Sequence, residues 1–186
     1  MERKNFLKNI KLHKLCNIDN YRPVFSYIHF ENGYAYATNG RILYKARVDT
    51  ICTVDDVEML EKLNGKNLYF RQYESLLKFD EITEITDEAI TAKLDGYEVS
   101  FKFVNNIKFV NAEKIFDDFY KSKHTLLGRV AICPDVFKLI GEVMPKCSAL
   151  VFEFGEREND PMLVRYPNDH TDLDVKAIVM PSYLDE

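Results

Sequence analysis

At 186 residues, 46% hydrophobic and with a net charge of −5, the chain is long enough for one core plus an appended piece, and its overall charge does not favour nucleic acid. No apolar run approaches the roughly 20 residues of a membrane span. Cys16, Cys52, Cys133 and Cys147 stand far apart with no C-x-x-C pair, which excludes the usual zinc and redox spacings and suits buried free thiols in a reducing compartment.

The opening "MERKNFLKNIKLHKL" is basic but lacks the continuous apolar segment and small-residue cleavage site of a signal peptide, so the chain is read as cytoplasmic. Within it, "NFLKNIKLHKLC" is compatible with a strand or a helix, because "KNIKLHKL" alternates almost as well at period two as at three or four. Lys4, Lys8, Lys11 and Lys14 have helix-compatible spacing. In "ENGYAYATNGRIL" two Asn-Gly pairs bracket Tyr-Ala-Tyr-Ala-Thr. Asn-Gly favours a type I′ hairpin turn, so this stretch predicts a three-stranded meander with Ala35 and Ala37 on one face and Tyr34 and Tyr36 on the other. The next stretch, "DTICTVDDVEMLEKLNGKN", predicts a short acidic helix stopped by Asn64-Gly65.

From Asn67 the pattern is a strand ("NLYF"), a helix ("RQYESLLKF") and three strands ("EITEIT", "EAITAKL", "YEVSFKF"), the last two joined at Asp95-Gly96. A polar and aromatic connection, "NNIKFVNAEKIFDDFYKSKHTLLG", follows. From Gly128 the order recurs: "RVAIC", then a helix opened by Pro134 and Asp135 ("PDVFKLIGEVM"), then "SALVFEF", "MLVRYP" and "DVKAIVM". The first fifty residues read as a further copy. Three strand-helix-three-strand units predict an α+β fold with antiparallel sheets and helices on one face, divided as 1–115 (two units) and 116–186 (the third).

Catalytic signatures are missing. His13, His29, His124 and His170 are scattered, no G-x-S-x-G, P-loop or G-x-G-x-x-G is present, and the carboxylates of "VDDVEMLE" and "GEREND" form solvated runs. The expectation is a protein that is not an enzyme and has no cofactor or metal.

The stretch "YRPVFSYIHFENGYAYATNGRILYKARV" resembles the middle domain of the bacterial DNA polymerase III beta sliding clamp, with its Arg-Pro-Val and its Ala-Thr-Asp-Gly-His-Arg-Leu run. "YFRQYESLLKF" resembles that domain's second helix, and "NNIKFVNAEKIF" its closing connection, with Val110 in place of the usual Pro. "VKAIVMPSYLDE" is similar to the clamp's Val-Met-Pro terminus. The resemblance implies a DNA-clamp-like fold, shortened to a middle domain joined to half of a last one.

It further implies a hydrophobic pocket for short linear peptides of replication or repair proteins, made of Thr38, Gly40, Arg41, Leu43, Val179, Met180 and Pro181. Non-specific double-stranded DNA binding would fall to Lys8, Lys11 and Lys14, with Lys121 and Lys123. The function implied is a processivity-type clamp of DNA replication or repair that would need homo-oligomerisation to close a ring. The alternative is a monomeric interaction or regulatory module with a clamp fold and no DNA binding.

Overall fold

Asn32 and Gly33, at φ 51° and 78°, and Asp95 and Gly96, at φ 50° and 83°, have the paired positive φ of type I′ turns, and each joins two strands of a hairpin. The structure, a computed structural model, describes residues 5–8, 10–48, 59–121, 130–144, 149–157, 159–167 and 175–182. Among these, ten strands form two antiparallel sheets. They are β1 (Tyr27–Glu31), β2 (Tyr34–Thr38), β3 (Ile42–Arg47), β4 (Lys66–Tyr69), β5 (Glu81–Ile85), β6 (Ala89–Leu94), β7 (Tyr97–Lys102), β8 (Val151–Glu153), β9 (Met162–Arg165) and β10 (Val175–Val179). The larger sheet has the order β4-β1-β2-β3-β10-β9-β8 and the smaller β5-β6-β7.

The meander's side chains divide as their alternation predicts. Ala35 and Ala37 enter the main core with Ile28, Phe30 and Tyr44, whereas Tyr34 and Tyr36 lie with a second cluster on the other face. Helices α1 (Phe70–Leu76) and α3 (Pro134–Val143) both pack on the alanine face. The Tyr73 ring lies 6.4 Å from that of Phe30, and the Tyr44 hydroxyl donates to the Val143 carbonyl at 3.5 Å. The two helices of the repeat therefore share one side. Helix α2 (Ala112–Lys121) comes from the connection between copies and covers the opposite face.

Two expectations change. The first copy has no α-helix among its described residues: Leu12–Lys14 is a 3₁₀ turn, and Leu7, Ile10, Leu12 and Leu15 plug the core at irregular spacing. Asn5 secures this segment, its amide donating to the carbonyls of Leu76 (2.9 Å) and Phe79 (3.0 Å) at the end of α1. Residues 130–133 of "RVAIC" are not in a strand; there the Ala131 carbonyl accepts from the Ser182 amide at 2.9 Å. The division at 115/116 falls inside α2, and the third copy joins the first in one sheet through β3 and β10. Of the acidic segment before β4, residues 49–58 lie outside the described residues; 59–61 are helical and Gly65, at φ 73°, ends the run. No helix among the described residues is long and apolar enough to cross a membrane.

Candidate functional site

The turn between β2 and β3 is built by side chains rather than by a second type I′ geometry. Asn39 has no positive φ; only Gly40, at 84°, does. Asn39 Oδ1 accepts from the amides of Arg41 (3.0 Å) and Ile42 (2.9 Å). Thr38 Oγ1 accepts from the Gly40 amide at 3.1 Å and donates to the Ile42 carbonyl at 2.8 Å. The Thr38 hydroxyl is thereby committed to the turn. A Cβ on Gly40 would stand 2.9 Å from Phe25 Cζ, and Phe25 is capped by the Arg22 guanidinium, 4.5 Å from the ring centre.

Strand β10 runs up to this turn. Ile178 pairs with Leu43 and Val179 with Ile42, and the Met180 amide continues the ladder to the Arg41 carbonyl at 2.9 Å. Alternation then sorts the side chains. Leu43 and Ile178 lie in the cluster under α2, while Val179 is fully buried in the main core on the other face. Of the expected pocket residues, Thr38, Gly40, Arg41, Leu43, Met180 and Pro181 gather at this corner. Ile178, absent from the expected set, is the strand residue beside Leu43. Met180 is 44% exposed.

Helix α2 roofs the face beside the corner. Ala112, Phe116 and Phe119, at spacings of four and three, are buried against Tyr36, Leu43, Leu163 and Ile178, and Asn111 Oδ1 accepts from the Lys114 amide at 3.0 Å, as an N-cap does. Both features were available in the sequence as signals for this helix. Along α2, Glu113 is held by the Tyr36 hydroxyl and by Lys45 Nζ at 2.8 and 3.0 Å. Burial pushes the Glu113 carboxyl up, but the bonds from Lys45 and Tyr36 and the charges of Lys45 and Lys176 outweigh it, and the net shift is downward. Burial and the Glu113 partner raise the Tyr36 phenol.

A lowered carboxylate stabilises the fold above its unfolded pKa, and that contribution disappears as pH falls through the folded value. Glu113→Gln should therefore lower stability by about 1 kcal/mol at neutral pH, a charged hydrogen bond discounted for partial exposure. Thermal unfolding from neutral to acid pH is the measurement. The gap between wild type and variant should close below the ordinary Glu range.

Of the lysines expected to meet DNA, the four that are described do not share one face. Lys8 is paired with Asp80 and Lys14 with Glu142 at 3.5 Å, and Lys11 is exposed. All three are near the 3₁₀ turn on the α1 and α3 side, whereas Lys121 ends α2 on the opposite face. Lys123 lies outside the described residues. Groups of three or more His, Cys, Asp or Glu able to hold a metal ion are absent among the described residues.

No family model and no curated protein matches the sequence. Solved structures do match over essentially the whole chain. They include the DNA polymerase III subunit beta of Borrelia burgdorferi, at 13% identity and TM-score 0.65, covering 100% of this chain and 62% of that one. The Helicobacter pylori beta clamp bound to a DNA ligase peptide matches at 10% identity and TM-score 0.69, covering 98% and 65%. A sliding clamp from Pseudomonas aeruginosa matches at 13% identity and TM-score 0.62, covering 96% and 64%. The chain thus has the fold of bacterial sliding clamps and spans just under two thirds of the length of these matches.

Proposed function

We propose that this chain is a non-enzymatic, clamp-fold protein of DNA replication or repair that holds short linear peptides at the corner where β10 meets the Thr38–Ile42 turn. The observation carrying this reading is the ladder from Met180 to Arg41. It sets the exposed Met180 beside Leu43 and Ile178, a flexible apolar rim over a rigid apolar floor. The likeness to a beta clamp solved with a DNA ligase peptide supports the same reading. In this reading Thr38, Gly40 and Arg41 shape the wall, Met180 contacts the anchors above the buried Leu43 and Ile178, and Pro181 bounds the far side. A peptide with Leu and Phe anchors, titrated by fluorescence anisotropy, should saturate. A peptide with both anchors replaced by Ala should not, and equal binding of the two would remove the reading.

A second reading, a platform that binds peptides but not DNA, is favoured by the ion pairs of Lys8 and Lys14, which already neutralise two of the expected phosphate contacts. Duplex DNA separates the two. If Lys8, Lys11 and Lys14 all reach phosphates, log affinity should fall against log salt with a slope of about −2.7, whatever the sequence. No binding at low salt selects the platform.

A further inference from the structure

The first and second units complete each other, through a strand in one direction and a backbone hydrogen bond in the other. Strand β4, just before α1, pairs with β1, the first strand of the other unit, from Tyr27↔Tyr69 to Phe30↔Lys66. Reciprocally, the Asn5 amide, ahead of the first unit's 3₁₀ turn, donates to the Asp80 carbonyl at the head of β5 at 2.7 Å. The third unit has the same parts without a counterpart among the described residues. Residues 130–133 precede α3 without joining a strand, and among the described residues β8 has a strand neighbour on one side only.

The helices carry the same asymmetry. Tyr73, the fourth residue of α1, is fully buried, and its hydroxyl donates to the Ile10 carbonyl of the first unit at 2.8 Å. The fourth residue of α3 is Phe137, which is 47% exposed and lies with its ring 5.8 Å from that of Phe152 on β8. One turn further along the same side is Gly141, where an added Cβ would meet nothing within 4 Å. Glycine is among the least favourable residues inside a helix, and no close approach among the described residues requires it there. The other flank of α3 is occupied, since Glu142, about 140° round the helix from Phe137, meets Lys14.

We propose that the third unit is completed by the third unit of a second copy of this chain, in an isologous pair about a two-fold axis. Each copy's 130–133 segment adds to the β8 edge of the other, as β4 adds to β1. Each Phe137 seats in the space beside the other copy's Gly141, the place that the first unit fills around Tyr73. This association is independent of the peptide corner, which lies at the junction of β3 and β10.

Light scattering of the full chain over a range of concentrations tests the proposal, together with hydrogen exchange. Wild type should have twice the chain mass, with slow amide exchange at 131–133 and 151–153. Phe137→Glu should have the mass of one chain, fast exchange at those amides, an unchanged circular dichroism spectrum and intact peptide binding. Gly141→Leu, which fills the space while favouring helix, should likewise be monomeric, and it serves if Phe137→Glu does not fold. A wild type that stays monomeric throughout, or a dimer that survives in both variants, overturns the proposal.

Discussion

Replacing Gly40 with valine will lower stability by about 2–5 kcal/mol and remove the proposed peptide capture with it. Two physical terms add. At φ 84° a side chain costs roughly 1–2 kcal/mol in the left-handed region, and more for a branched one. The new Cβ would also stand 2.9 Å from Phe25 Cζ; Phe25 is buried beneath Arg22 and has little room to yield, an overpacking of about 1–3 kcal/mol. Gly33 separates the two terms, because its φ is similar at 78° but a Cβ there meets nothing within 4 Å. Gly33→Val should carry the strain alone. Thermal unfolding of both variants decides the matter: equal losses would mean that Phe25 does not hold the turn.

Met180→Asp should have the opposite profile, losing at least thirtyfold in peptide affinity while unfolding at the wild-type temperature. At 44% exposure the side chain is not deep core, and surface substitutions of this kind stay within about 0.5 kcal/mol. A buried apolar anchor contact in a small pocket is worth 2 kcal/mol or more, which sets the expected loss. Val179→Asp is the contrast. It would put a carboxylate into the main core, where Val179 is fully buried, and should unfold the protein. Peptide titration beside thermal unfolding reads both. Should Met180→Asp unfold as Val179→Asp does, the corner is core and the peptide reading is withdrawn.

The meander and the repeat were legible because they rest on short-range rules: positive φ at Asn32 and Gly33, alternation along Tyr34–Thr38, and Pro134 at a helix start. At the proposed peptide corner, alternation alone does not say which of Val179 and Ile178 lies on the Leu43 face, since a strand's period is two and the register to β3 is a tertiary fact. The N-terminal segment was ambiguous because Leu7, Ile10, Leu12 and Leu15 plug the core from a turn and a 3₁₀ turn, which impose no period. Helix α2 was hidden by its polar residues, although Asn111, Ala112, Phe116 and Phe119 marked it.

The pairing of β3 with β10 lies at the middle of the seven-stranded sheet, not at an edge, and joins Ile42 to Val179, more than a hundred residues along the chain. Closing so long a loop is entropically slow, whereas the hairpins β1–β2 and β6–β7 need only their own turns. During synthesis, the meander and the β5–β7 sheet leave the ribosome well before β10 exists. Until then, Leu43 and its neighbours offer an unpaired edge between two apolar faces, a template for any passing strand. The strand that builds the proposed peptide corner is therefore also the one that covers the β3 edge against aggregation, and folding yield should be more sensitive to β10 than to any other strand of the sheet.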